Sequence, residues 1–234
     1  MKVWECRFLS KIMNSFLKIL TFILIASVIV CGIMLPIPNI PALGDKARVL
    51  YFHVPMSWIS VVAFFMSMWY SIKYLKTRDL DYDIKSYSSA QLGFLFCILA
   101  TATGSLWAKF NWGSFWNWDP RQTSIFILLM IYGAYFALRS AIDSDERRAR
   151  LSSVYSILAA VTVPFFVFIM PRIVDSLHPD PIINSQGKIN MDTTMFIIFL
   201  TSLVGFTMLF LWVLSLKIRI ERLQFREIRS IADR

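Results

Sequence analysis

The chain has 234 residues, 57% of them hydrophobic and 17% charged, and a mean hydropathy of +0.59. Soluble domains hold about 45–50% apolar and about a quarter charged residues, so a water-soluble globule is excluded; twenty phenylalanines and eight tryptophans beside few Gly and Pro exclude disorder and fibrous repeats. The formal charge of +9 would suggest nucleic acid on a soluble protein, and where the charges sit decides that.

A hydrocarbon core about 30 Å thick asks for about 20 apolar residues per crossing, and in lipid such runs must be helices. Six runs qualify, at Phe16–Leu35, Val49–Ile72, Ser88–Trp107, Thr123–Leu138, Ser153–Pro171 and Thr194–Leu216. The expected fold is therefore an all-α polytopic membrane protein forming one six-helix domain over 1–234. The first run is longer than a signal-peptide core and no A-x-A site follows. Val28-Ile29-Val30-Cys31 faintly resembles a lipoprotein site, but Val30 is too large before the cysteine, so the run reads as an anchor. Cys6, Cys31 and Cys97 form no C-x-x-C pair and no C-x-x-C-H haem-attachment motif.

The third run carries Gly93, Cys97, Ala100 and Gly104 at spacings of three and four, which lets a second helix approach closely. Pro164 is expected to kink the fifth. No span has an ionisable residue at its centre, which argues against a proton relay, and no inverted repeat points to a secondary transporter.

Eighteen of the 24 Lys and Arg fall on the side that holds both termini. They are Lys2, Arg7, Lys11 and Lys18, then Lys73, Lys76, Arg78 and Lys85, then Arg139, Arg147, Arg148 and Arg150, and finally Lys217, Arg219, Arg222, Arg226, Arg229 and Arg234. Only Lys46, Arg48, Lys109, Arg121, Arg172 and Lys188 fall on the other. The positive-inside rule then puts both termini in the cytoplasm, and the nucleic-acid reading loses its basis. In the basic tail, 217–234, Leu216, Ile220, Leu223, Ile228 and Ile231 share a face. That pattern suits either an amphipathic helix on anionic lipid or a solvated extension of the last span.

Both histidines face the outer side. His53 stands at the outer start of the second span, in Phe-His-Val-Pro, and His178 in the fifth loop, in Leu-His-Pro. Two converging imidazoles can hold an iron from opposite faces, although two unrelated polar loop residues would look the same. Between them in sequence runs Lys109-Phe110-Asn111-Trp112-Gly113-Ser114-Phe115-Trp116-Asn117-Trp118-Asp119-Pro120-Arg121. An interfacial belt uses tryptophan too, but more sparingly. If the stretch is helical, Trp112, Phe115, Trp116 and Asp119 share a face, a flat apolar shelf with an acid at its rim. Such a shelf suits a large planar ligand, and Lys46, Arg48, Lys109, Arg121 and Arg172 are candidates for its carboxylates.

Trp112-Gly113-x-x-Trp116-x-Trp118-Asp119 resembles the WWD signature of haem-handling membrane proteins. With six spans and the two histidine contexts, the whole chain is similar to the haem exporter protein C family of the cytochrome c maturation system. The resemblance implies haem b held non-covalently on the periplasmic side of a bacterial inner membrane. His53 and His178 would be axial ligands; Trp112, Gly113, Trp116, Trp118 and Asp119 the platform; and Arg121 the arginine that follows the motif. It implies delivery to a membrane-tethered haem chaperone, with ABC-type ATPase and permease subunits and a small membrane accessory subunit as partners. No enzymatic turnover is expected, since neither a nucleotide-binding loop nor a nucleophile–base pair is visible. One departure stands out: Pro120-Arg121-Gln122 replaces the Ala-Arg-Leu of many relatives, and Pro120 suits the first turn of a helix. The competing readings are a b-type cytochrome, a haem transporter and an assembly factor whose tryptophan loop binds protein. Histidines in loops rather than on facing helices count against the first.

Overall fold

The computed structural model describes residues 15–38, 43–178 and 191–232. Lys2, Cys6, Arg7, Lys11, Pro179, Lys188 and Arg234 lie outside them, as does the side chain of Arg229. Among the described residues all regular structure is helical, and six helices are long and apolar enough to cross a membrane. They are α1 (Ser15–Met34), α2 (Leu50–Thr77), α3 (Leu80–Trp112), α4 (Pro120–Ser140), α5 (Asp145–Ile173) and α6 (Thr193–Ala232).

Several helices run past the apolar runs that predict them, because polar residues at their ends are paired inside the fold. α3 begins at Leu80 rather than Ser88. Its first turns carry Asp81, Asp83 and Lys85, and Lys85 is buried against Asp81 at 3.0 Å. Asp83 takes both guanidinium nitrogens of Arg139 from α4, at 2.7 and 2.9 Å. Arg222 of α6 holds Asp81 in the same forked way, at 2.6 and 2.9 Å. The link from α2 to α3 is thereby reduced to Arg78, in the left-handed region at φ 56°, and Asp79, whose carboxylate caps α3 at the Asp81 amide.

α2 is the central helix and packs on α3, α5 and α6. Ile59 and Ala63 meet Phe210 and Leu214 of α6, while Val61 and Phe64 meet Tyr132 of α4 and Val163 of α5. The small-residue stripe of α3 is the seat for α2, as its spacing predicts. A Cβ at Gly93 would stand 2.7 Å from the Phe64 ring, and Cys97 and Ala100 are fully covered. At Pro164 the missing amide breaks the α-helical ladder, and the chain widens into a π turn at Phe165–Ile169 before resuming at Met170–Ile173. The basic tail continues α6 without a break, as the extension reading expects, leaving Ile220, Leu223, Ile228 and Ile231 exposed.

Candidate functional site

At one end of the bundle the termini of α2, α3, α4 and α5 come together. A 3₁₀ turn at Gly44–Val49 runs directly into α2, so His53 lies within the first turn of that helix and not in a loop. The expectation of two loop histidines holds at His178 and fails at His53. The His53 ring lies on α3, with Nδ1 3.1 Å from the Thr103 hydroxyl. Gly104 supplies the space: a Cβ there would stand 2.8 Å from His53 Cε1.

α3 ends at Trp112, more than a turn beyond the predicted boundary at Trp107. Gly113 then turns the chain in the left-handed region at φ 79°, where a side chain costs about 1–2 kcal/mol. Residues 114–119 are not helical, so the continuous helical shelf of Trp112, Phe115, Trp116 and Asp119 does not form. The tryptophans divide instead. Trp112 and Trp107 pack on the His178 imidazole, with ring centres 4.9 and 5.6 Å away. Trp116 stands edge-on to Trp118 at 5.8 Å and to Phe126 of α4 at 6.1 Å. Trp118 is 71% exposed and adopts φ 54°, a conformation bulky residues rarely take and one found where surrounding structure imposes it.

Two side chains of α4 impose it. Asp119 caps the helix at the Arg121 amide (2.9 Å), with Pro120 in the first turn as its fixed φ predicts. Gln122, buried, accepts from the Asn117 amide at 2.9 Å and donates to the Phe115 carbonyl at 3.3 Å. Gln122 is thus the clamp on the tryptophan loop.

Asp119 also reaches across to the segment after α5. Its carboxylate accepts from the Ser176 hydroxyl at 2.8 Å and the Leu177 amide at 2.7 Å, and His178 Nδ1 lies at 3.1 Å. Burial pulls the Asp119 carboxyl upward, but these donors together hold it below the usual carboxylate range. Burial pushes the His178 imidazole down to about 4, and Arg121 acts in the same direction; the nearby carboxylate opposes this and is outweighed. At neutral pH the pair is therefore a neutral imidazole donating Nδ1–H to a carboxylate, not an ion pair. The His53 and His178 rings are close enough to act on one another electrostatically. Thr103 and Gly104 border one imidazole, and Trp107, three to four residues further along α3, packs on the other.

The outer cations sort themselves. Lys46 donates to the Phe110 carbonyl (2.8 Å), Arg48 to Gly32 and Leu35 (2.7 and 2.8 Å), Lys109 to Gly113 (2.9 Å) and Arg172 to Phe168 (2.6 Å), each at the C-terminal end of a helix. That is the favourable place for a cation on the helix dipole. Arg121 stands beside His178. Phe110, Phe115, Trp118 and Leu177 are exposed apolar side chains at this end of the bundle. No group of three or more His, Cys, Asp or Glu that could enclose a metal exists among the described residues.

Sequence reasoning missed Thr103, Trp107, Gln122 and Ser176. Trp107 had a usable signal, since it precedes Trp112 by five residues at the end of the same apolar run. Thr103 and Ser176 had none, because their roles depend on residues fifty or more positions away.

The family model described as Heme exporter protein C matches residues 3–232. The chain is 31% identical over 188 residues to the Heme exporter protein C of Bradyrhizobium diazoefficiens, covering 80% of this chain and 71% of that one. It is 26% identical over 240 residues to that of Rhodobacter capsulatus, covering 100% and 98%. It is also 30% identical over 159 residues to a putative cytochrome c biosynthesis ccmC-like mitochondrial protein of Marchantia polymorpha, covering 67% of each. With a match across nearly its whole length and six helices fit to cross a bilayer, the chain is a multi-pass membrane protein that belongs to the Heme exporter protein C family.

Proposed function

We propose that this protein binds haem b non-covalently at the tryptophan-rich end of the bundle and passes it on during cytochrome c maturation. The observation that carries the reading is that both imidazoles rest against the same end of α3, each with Nδ1 engaged by a side chain. His53 and His178 are the axial ligands. Trp112 and Trp107 hold the His178 ring, Trp116 and Trp118 with Gly113 and Asp119 form the platform, and Arg121 receives a propionate. The exposed indole of Trp118 supports an open site, from which a planar cargo leaves by one edge.

By the distribution of basic residues this end faces the periplasm of a bacterial inner membrane and both termini the cytoplasm. The recipient is a membrane-tethered haem chaperone. ABC-type ATPase and permease subunits supply the ATP-driven step, and a small membrane subunit accompanies them; the chain itself carries no turnover. The test is the spectrum of the purified protein loaded with haem. The parent gives a six-coordinate low-spin spectrum, and His53→Ala and His178→Ala each convert it to that of five-coordinate haem or lose the haem. Unchanged spectra in both variants would refute the ligand assignment. The helical position of His53 favours one second reading, a b-type electron carrier. That reading requires rapid reduction by a quinol and reoxidation; a delivery protein shows neither at useful rates.

A further inference from the structure

The two imidazoles are backed by different chemistry. Behind His178 stands a carboxylate that already receives the Arg121 and Leu177 amides and the Ser176 hydroxyl, so it acts only as an acceptor and fixes the His178 proton on Nδ1. Behind His53 stands the Thr103 hydroxyl. That hydroxyl is also within reach of the Leu99 and Ala100 carbonyls, at 2.8 and 3.1 Å, so the partner behind His53 is a neutral group whichever way the shared proton lies. At His178 the carboxylate keeps the proton on Nδ1 and leaves Nε2 available. The backing is unequal, since a hydrogen bond to an ionised acceptor is about twice as strong as one between neutral groups, and a stronger acceptor behind the ring makes the opposite nitrogen a better ligand. Their packing is also unequal. His178 packs on two indoles that also touch one another, and its backbone amide is bonded to Ser176, whereas His53 lies against Gly104 and the Thr103 hydroxyl.

We propose that Thr103 and Gly104 are the positioning residues of His53, and that His53, with a hydroxyl rather than a carboxylate behind it, is the ligand released first when the cargo is handed on. The inference rests on the bis-histidine reading above. In the release step the iron–Nε2 bond of His53 breaks and its electron pair returns to the imidazole. An incoming donor's pair makes the new bond, with no change in the oxidation state of the iron, while the Asp119-backed His178 keeps its hold.

Cyanide serves as the incoming donor, added to the full-length ferric haem-loaded protein. The cyanide adducts of the parent and of His53→Ala should then be the same species, with matching EPR spectra, and the adduct of His178→Ala should differ. Thr103→Val keeps the volume and removes the hydroxyl. It should bind cyanide about tenfold faster than the parent, the lower end of the cost of losing an outer partner of a metal ligand, and Thr103→Ser should return to the parent rate. Gly104→Ala should give five-coordinate high-spin haem that added imidazole converts back to low spin, a signature that general destabilisation does not produce. A parent adduct matching His178→Ala instead, or a Thr103→Val rate equal to the parent's, would overturn the inference while leaving both histidines as ligands. If His53→Ala itself leaves the unliganded haem spectrum unchanged, the bis-histidine reading beneath it fails.

Discussion

At the scale of single residues, Asp119 joins three tasks that the sequence distributes over sixty positions: it starts α4, pins residues 176 and 177, and orients the His178 ring. The consequence for pH has a definite sign. His178 is depressed from its ordinary 6.5 to about 4, so in the unfolded chain it takes up a proton near 6.5 while in the folded one it stays neutral. Its contribution to holding the 176–178 segment is complete above 6.5 and diminishes as pH falls from 6.5 to about 4. Asp119, also depressed, contributes above the usual carboxylate range and is lost only as pH drops through its lowered value. With only two histidines in the chain, ¹⁵N-histidine NMR of the haem-free protein resolves them individually. The His178 ring should remain the neutral Nδ1–H tautomer from pH 7 to 5 and titrate near about 4. A midpoint near 6.5 would show that the ring is not buried against Asp119.

At the scale of the element, α3 acts as the ruler of the molecule. One end carries the seat of both imidazoles and the other carries Asp81, Asp83 and Lys85. The apolar run that reveals this helix in the sequence contains neither end. Charged residues read as loop until their partners are known, and Arg139 and Arg222 lie 56 and 141 residues away from theirs. The same limit applies at the site. The motif and both histidines are legible as residue types, and so is their common side of the bundle. That His53 rides on a helix, and that the indoles divide between His178 and Phe126, depends on where α3 stops, and only Gly113 hints at that. The buried Asp83–Arg139 pair, covered on one face by Tyr87, makes an element-level prediction. Arg139→Met leaves a buried carboxylate alone and should lower stability in detergent by about 3–5 kcal/mol, whereas Asp83→Asn with Arg139→Met should recover most of it. A double variant that loses as much as Arg139→Met and Asp83→Asn added together would show that the pair contributes no mutual energy.

At the scale of the whole molecule the chain is polar along one axis. Aromatic and histidine residues gather at one end, and α6 carries Lys217, Arg219, Arg222 and Arg226 at the other. The apolar runs reveal the six spans, and the positive-inside count is the basis of the orientation proposed above. In a background in which Cys6, Cys31 and Cys97 are replaced, Ser114→Cys should react with a membrane-impermeant maleimide from the periplasmic side of intact cells. Asp143→Cys should react only after the membrane is opened. The reverse pattern would invert the orientation and remove the periplasmic site.

α6 has a further bearing on this arrangement. At 40 residues it is about 60 Å long, twice what a bilayer core requires, so its length alone does not determine how deeply it sits. Two polar fixings do so. The Ser202 hydroxyl donates to the Tyr51 carbonyl of α2, and the Arg222–Asp81 fork ties the helix to α3 twenty residues later. A helix fastened to its neighbours at two levels cannot slide to follow a thicker or thinner membrane. Differences in bilayer thickness must be taken up by the surrounding lipid, and the height of the tryptophan-rich end above the rest of the bundle stays constant from one membrane to another.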